Sequence, residues 1–233
     1  MSSDRHTHHD HHHDDVHDHD HAHDNAHDHA HPTRPDDDDG LSYYRVMEMA
    51  VRELLIEKGI LTAQDIRRAV EAMDARTPAQ GARIVARAWV DPAFKARLLK
   101  DASAAVREMG IDVGPTHLVA LENKPELHNV IVCTLCSCYP RMVMGPPPAW
   151  YKSRNYRSRT VREPRAVLRE FGTEIPDDVE LRVHDSTADM RYLVVPERPA
   201  GTDGWSEERL AALVTRDSMI GVARANEPGQ AAS

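Results

Sequence analysis

The sequence predicts an α+β protein: a helical N-terminal arm or segment, followed by a mixed α/β layered domain carrying one cysteine-rich loop. Three observations predict it. Apolar residues recur at helical spacing from Leu41 to about Gly110. Short branched runs of strand type begin only after Gly114. All three Cys of the chain then fall within six residues, Cys133-Thr134-Leu135-Cys136-Ser137-Cys138, directly after one of those runs.

Residues 1–40 stand apart from this plan. They are almost entirely His and Asp with a few Ala and Pro, and without apolar periodicity they read as a disordered tail. The tail holds thirteen of the sixteen His. Its twelve Asp against Arg5 and Arg34 give it a charge of −10, so the remaining residues sum to +1. The formal charge of −9 therefore says nothing about nucleic acid or membrane preference of the folded part. About 190 residues remain, enough to bury a core. No apolar run is long enough to span a bilayer, and the N-terminus lacks the basic-then-apolar order of a signal peptide. A cytoplasmic protein is expected.

From 41 to 112 the reading is a helical N-terminal segment. Leu41 to Lys58 carries Val46, Met49, Leu54 and Leu55 at helical spacing, with Gly59 as the stop. Thr62 followed by Asp65 has the form of a cap with an acidic third position, opening a second helix through Ile66, Val70 and Met73 to about Arg76. Pro78 starts a third helix through Ile84, Val85 and Trp89. Asp91-Pro92 joins a cap to a favoured first-turn Pro and begins a fourth, which Gly110 closes.

From 113 to 222 the pattern is that of an α/β domain. His117 to Glu122, Val130 to Cys133, Val179 to Val183 and Tyr192 to Val195 read as strands. Pro146-Pro147-Pro148 argues against regular structure immediately past the Cys cluster. A helix is predicted from about Pro164 to Phe171, ended by Gly172, and Ser206 caps a last one through Leu210 and Leu213. Residues 223–233 are polar and read as a flexible C-terminal tail.

Three Cys packed this closely make a poor disulfide framework and fit metal binding in a reducing compartment better. Ile131 and Val132 bring a strand end to a loop, where chemistry commonly sits. Thiolates at 133, 136 and 138 are soft ligands suited to transition metals. Cys136 and Cys138, with only Ser137 between them, can chelate through both sulfurs and, once deprotonated, through the backbone nitrogens of Ser137 and Cys138. Those four donors lie in one plane, with Cys133 as an axial fifth and the sixth position open for water or substrate. Donors this strong suit a small trivalent ion better than zinc. Structural zinc stays open on the residues alone: the chain lacks a second Cys pair, but His117 or His128 could complete a Cys₃His set. An iron–sulfur cluster calls for four Cys at wider spacing, and three inert thiols would not need this spacing.

The run Val132-Cys133-Thr134-Leu135-Cys136-Ser137-Cys138-Tyr139-Pro140 resembles the metal-claw segment of the nitrile hydratase α subunit. The resemblance covers most of the folded chain. It includes Leu54-Leu55-Ile56-Glu57-Lys58-Gly59, Ala88-Trp89-Val90-Asp91-Pro92 and Leu121-Glu122-Asn123 with His128-Asn129-Val130 upstream. Downstream it includes Pro147-Pro148-Ala149-Trp150-Tyr151-Lys152, Glu163-Pro164-Arg165, Phe171-Gly172, Arg191-Tyr192, Arg198-Pro199-Ala200-Gly201-Thr202 and Val214-Thr215-Arg216-Asp217.

The resemblance implies a site residue by residue. Cys133 would be the axial thiolate, Cys136 a sulfinate and Cys138 a sulfenate, with the nitrogens of Ser137 and Cys138 completing the plane. The metal ligands are then Cys133, Cys136, Ser137 and Cys138, and the catalytic residues Cys138 and Cys136, whose oxygenated sulfurs can accept protons or attack. One Co(III) per chain is implied by Thr134, with Fe(III), whose motif usually has Ser there, as the alternative. The expected activity is that of a lyase in a hetero-oligomer: the ion acts as a Lewis acid, water adds to a small nitrile, and the imidic acid tautomerises to the amide. A β-type subunit would supply Arg to the oxidised cysteines, so the chain alone should be inactive. A metallochaperone or activator is a further candidate partner.

Some positions depart from that pattern. Nitrile hydratases mostly have Trp where this chain has Arg141, at a position expected to face the substrate cavity. The γ subunit of thiocyanate hydrolase, which converts thiocyanate to carbonyl sulfide and ammonia at the same kind of claw, is similar at Tyr139-Pro140-Arg141, Glu48-Met49-Ala50-Val51-Arg52-Glu53-Leu54 and Asp203-Gly204-Trp205, and can carry a His/Asp-rich tail. Glu180-Leu181-Arg182-Val183-His184-Asp185 and Pro147-Pro148-Ala149-Trp150 lean toward nitrile hydratase. Gly114-Pro115-Thr116 stands where nitrile hydratases often have Gln.

A metal storage or delivery protein is the non-enzymatic alternative, since the imidazoles of the tail can bind divalent cobalt, nickel or zinc. Storage would not require the claw. The tail itself is open to a loading or buffering role. The Arg-rich run from Arg154 to Arg169 lacks interleaved aromatics beyond Tyr151 and Tyr156 and reads as a solvated or inter-subunit surface, not a nucleic-acid interface. Tyr43, Tyr44 and the first helix are expected to pack on a partner, and His117, His128 and His184 are read as structural.

Overall fold

The computed structural model describes residues 42–229, and the tail expected over 1–40 lies outside them. Helices α1 (Tyr43–Glu57) and α2 (Ala63–Asp74) follow the apolar periodicity. The capping box of α2 forms as read: Asp65 N–H donates to Thr62 Oγ1 at 3.1 Å, and Thr62 N–H donates to Asp65 Oδ2 at 3.0 Å. Neither helix buries a residue. Tyr43, Tyr44, Val46, Val51, Leu54 and Val70 remain exposed, so the apolar stripe that shapes these helices has no cover within the described chain.

The core begins at α3 (Ala79–Val90), which buries Ala82, Ile84, Val85, Ala86 and Ala88. The fourth predicted helix is in fact two, α4 (Pro92–Lys100) and α5 (Ala102–Glu108). Asp101 leaves helical geometry at φ −152°, ends α4, and accepts the Ala104 N–H at 2.9 Å to cap α5.

Strands β1 (His117–Glu122), β2 (Leu127–Val132), β3 (Glu180–Asp185) and β4 (Met190–Val195) form two parallel pairs. β1 pairs with β4, His117 opposite Met190; β2 pairs with β3, Leu127 opposite Glu180 and Val132 opposite Asp185. β4 also packs against β2, while α4 and α5 cover β1. Val130, Ile131, Val132 and Leu193, Val194, Val195 are buried, the continuous apolar runs expected of covered parallel strands. β2 starts three residues earlier than its apolar run, because His128 and Asn129 are buried through hydrogen bonds.

Between β2 and β3 lie α6 (Arg141–Met144), α7 (Ala149–Lys152), α8 (Arg154–Arg159) and α9 (Pro164–Glu170). The proline run therefore does not exclude regular structure next to the Cys cluster: α6 ends at Gly145, and Pro148 precedes α7. After β4 come α10 (Glu207–Ala211) and α11 (Arg216–Ile220), the latter absent from the sequence reading. Thr215 and Ser218 cap it reciprocally, a box with Ser in place of the usual Glu or Gln. At residue 145 a Cβ would lie 2.2 Å from Arg76 O, and at residue 221 it would lie 2.0 Å from Asn129 O; both glycines have positive φ. Of the stretch read as a flexible tail, 223–229 is described, and there Ala225 is buried and Asn226 N–H donates to Leu213 O at 2.8 Å.

A buried polar chain ties β2 to its neighbours. His128 Nε2 donates to Gly221 O at 2.7 Å, which leaves Nδ1 to accept from Asn123 Nδ2 at 3.2 Å. Asn123 Oδ1 accepts from Asn129 N at 2.8 Å and Nδ2 at 3.0 Å. Asn129 Nδ2 also donates to Glu122 O at 2.9 Å, and His184 Nε2 donates to Asn129 Oδ1 at 2.8 Å. Burial holds the His128 imidazole below its ordinary range, and burial followed by the Arg182 charge does the same to His184.

Candidate metal centre

β2 delivers the cysteine loop from the core. Cys133, one residue past its end, is 1% exposed, while Leu135 at the loop tip is 89% exposed and Cys136 is exposed. The chain then doubles back through half-buried Ser137 and Cys138 to buried Tyr139. This reversal brings the three thiols together. Cys133 Sγ lies 3.4 Å from Cys136 Sγ, Cys136 Sγ lies 3.1 Å from Cys138 Sγ, and all three fall within 4.8 Å of one another.

Backbone nitrogens turn toward the same point. Cys136 N–H donates to Cys133 Sγ at 3.3 Å, and the backbone N–H groups of Cys138 and Ser137 lie near enough to Cys136 Sγ to favour its thiolate. The three sulfurs thus lie close enough together to hold one ion, with the Ser137 and Cys138 nitrogens beside them. No His, Asp or Glu joins the group among the described residues. The Cys₃His alternative is not assembled: both ring nitrogens of His128 are engaged elsewhere, and His117 is exposed at the start of β1.

The three thiols are hydrogen-bonded in series, Cys133 to Cys136 and Cys136 to Cys138. Cys136 is lowered, chiefly by its hydrogen bond with Cys138. Burial pushes the Cys138 thiol up to about 12, and the bond to Cys136 adds to the rise. Cys136 is thus the thiol that ionises first and Cys138 the one that keeps its proton, chiefly through burial, with the neighbouring sulfur 3.1 Å away adding to the effect. A trivalent cation would reverse the second part of that balance.

Four side chains that the sequence reading did not assign hold the loop. Asp185, at the end of β3, accepts from Thr134 N–H at 2.9 Å and from the Thr134 hydroxyl. Arg157, on α8, donates through Nη1 to Cys136 O at 2.9 Å and to Thr134 O at 3.4 Å. Tyr151 Oη donates to Cys138 O at 2.9 Å, and Tyr156 Oη donates to Ile131 O at 2.7 Å. Tyr139 meets Tyr151 edge to face at 5.0 Å. Burial raises the Tyr151 and Tyr156 phenols well above their usual range, so both stay protonated donors.

The Arg-rich run is thus not simply a solvated surface. Arg157 reaches the loop, Arg159 pairs with Glu163 and Glu170, and Arg165 donates to Ile175 O, Pro176 O and Val179 O. The available signal was Arg and Tyr interleaved at helical spacing in Tyr151-Lys152-Ser153-Arg154-Asn155-Tyr156-Arg157. Arg141 is exposed as the first residue of α6, and its N–H donates to Tyr139 O at 2.8 Å.

Comparison with known proteins agrees with this geometry. The family described as "Nitrile hydratase, alpha chain" matches residues 42–223. The α subunit of the high-molecular weight cobalt-containing nitrile hydratase of Rhodococcus rhodochrous is 51% identical over 188 residues, covering 79% of this chain and 93% of that one. The γ subunit of thiocyanate hydrolase from Thiobacillus thioparus is 47% identical over 195 residues, covering 78% of this chain and 80% of its own. Among solved structures, a double mutant of the Fe-type nitrile hydratase from Comamonas testosteroni superposes with a TM-score of 0.74 at 44% identity, over 82% of this chain and 98% of the other.

Proposed function

Since the chain belongs to the nitrile hydratase α-chain family, we propose that it is the metal-bearing α subunit of a nitrile hydratase, adding water to a small nitrile to give the amide. The observation that carries this reading is the convergence of three thiols and two backbone N–H groups within Cys133–Cys138. Cys133, Cys136, Ser137 and Cys138 would hold one Co(III), or alternatively Fe(III), and the ion would supply Lewis acidity toward the nitrile and the incoming water.

The chain's own residues then divide the work. Cys133 anchors the site from the core, and its burial keeps water from its sulfur. Cys136 and Cys138, on the open side, are the groups that oxidation would convert to sulfinate and sulfenate, giving oxygens able to take a proton from water or attack carbon. The exposure of Cys136, with half-buried Cys138 beside it and Leu135 at the tip, leaves a face for a β-type subunit whose Arg would pair with those oxygens. The uncovered stripe of α1 and α2 suits the same hetero-oligomer. A metallochaperone or activator would act before that face closes. Among the described residues no helix is long and apolar enough to cross a membrane. Free thiols suit the reducing cytoplasm.

A second reading, the γ subunit of a thiocyanate hydrolase, is favoured by one feature: Arg141 is exposed three residues after Cys138, where a cation suits an anionic substrate. The experiment purifies the protein with its co-eluting subunits and measures metal content, the mass of the Cys133–Cys138 peptide, and turnover of nitriles and thiocyanate. About one cobalt per chain, three added oxygens and amide formation are expected. Zinc on unmodified thiols in matured protein would remove the catalytic reading. Thiocyanate turnover without nitrile turnover would select the second.

A further inference from the structure

We propose that Arg157 is a positioning residue of the metal loop: its guanidinium aims the Ser137 nitrogen inward and offsets the negative charge that the Cys136–Ser137 peptide group carries when that nitrogen binds the ion. The role rests on the reading of Ser137 N as a ligand.

The geometry starts from the planar trans peptide, in which the carbonyl oxygen and the amide nitrogen's outward bond point to opposite sides. Cys136 O and Ser137 N belong to one such unit. Arg157 Nη1 lies 2.9 Å from Cys136 O, so the oxygen is turned out toward α8 and the nitrogen's outward bond points to the opposite side, with its N–H near enough to Cys136 Sγ to favour the thiolate. The same Nη1 is 3.4 Å from Thr134 O, so a single donor group spans the two carbonyls on either side of Leu135. The tip is thereby held although Leu135 itself has almost no packing.

Electrostatics adds a reason for Arg at this place. When Ser137 N binds an ion it gives its proton to solvent, and resonance spreads the resulting charge over N and Cys136 O. The bond from Arg157 then joins a cation to a charged acceptor, a class shorter and about twice as strong as neutral pairs. The residue is half-buried and its Nε is buried without a hydrogen-bond partner among the described residues, while the Nη1 end that meets the two carbonyls lies at the exposed loop. Tyr151 offers a contrast. It gives a neutral hydroxyl to Cys138 O, the carbonyl of the Cys138–Tyr139 peptide, whose nitrogen is not a ligand and carries no such charge.

The test uses the hetero-oligomer expressed with cobalt, comparing wild type with Arg157→Gln, which keeps a donor without charge, and Arg157→Lys, which keeps charge without the fork. The readouts are cobalt per chain, the rate of cobalt loss to a chelator, and the energy of the sulfur-to-cobalt absorption band. Arg157→Gln should assemble, lose cobalt about tenfold faster or hold about a tenth as much, and shift the band; Arg157→Lys should recover at least about half of the loading. Cobalt content and band unchanged in Arg157→Gln, or Lys as poor as Gln, would overturn the proposal. Where the Gln variant does not assemble, Lys decides: wild-type loading supports the role of charge, and lost loading refutes it. Failure of the wild type itself to hold cobalt on the three cysteines refutes the nitrile hydratase reading, whereas a loaded wild type with an indifferent Arg157→Gln refutes only Arg157.

Discussion

Replacing Asn123 by Ala removes the central link of the polar chain beneath β2. Two buried groups lose their partners: the Asn129 N–H, now 2.8 Å from Asn123 Oδ1, and His128 Nδ1, now 3.2 Å from Asn123 Nδ2. Asn129 Nδ2 keeps its second bond to Glu122 O. Each orphaned buried group costs about 1–3 kcal/mol, so the variant should lose about 2–6 kcal/mol, a large share of the 5–15 kcal/mol typical of a domain. Equilibrium urea unfolding of the purified protein measures this directly. The profile against pH adds a sign. Both imidazoles sit below their ordinary value near 6.5 in the folded chain, so the unfolded chain takes up protons first as pH falls. Their contribution is complete above about pH 6.5 and declines below it, by at most about 1.4 kcal/mol per pH unit for His128 and less for half-buried His184. Asn123→Asp should reverse the slope. A carboxylate facing Nδ1 would hold a proton on His128 and raise it, giving stability present below about pH 6.5 and lost as pH rises through the new folded value. A loss under about 0.5 kcal/mol in Asn123→Ala, or an unreversed slope in Asn123→Asp, would refute the network as described.

Two further outcomes follow from single contacts. Tyr156→Phe strips the donor from the buried Ile131 carbonyl, and urea unfolding should show about 1–3 kcal/mol lost; no change would mean the carbonyl finds another partner. Gly221→Ala places a methyl about 2 Å from Asn129 O at a φ of 90°, so soluble yield should fall severely, and a normally expressed, normally melting variant would contradict the close approach of α11 to β2.

The legible parts of the sequence were those whose cause is local. Caps such as Thr62–Asp65 and Asp91-Pro92 declare themselves within four residues, and so does the claw, whose donors are contiguous. Asp101 was hidden because the apolar period runs on across the break between α4 and α5. α6 and α7 are single turns, too short for periodicity to register. Strand existence was readable but partnership was not, since nothing in His117–Glu122 names Met190–Val195 as its mate. The groups steadying the loop come from positions 151, 156, 157 and 185, and only the tertiary fold brings them to it.

The pairing of β1 with β4 and of β2 with β3 is nested, the inner pair enclosed by the outer, and this imposes an order in time on biosynthesis. A chain that emerges from its N-terminus presents Cys133, Cys136 and Cys138 well before Asp185 exists to tie Thr134 down. Closing the inner pair bridges the shorter stretch and so costs less chain entropy than closing the outer. During that interval the three thiols belong to a growing chain with no ladder to hold them, free to meet any oxidant or stray divalent ion. The tie between Thr134 and Asp185 can therefore form only after translation has passed Asp185, as part of the finished strand pair and not of the nascent loop.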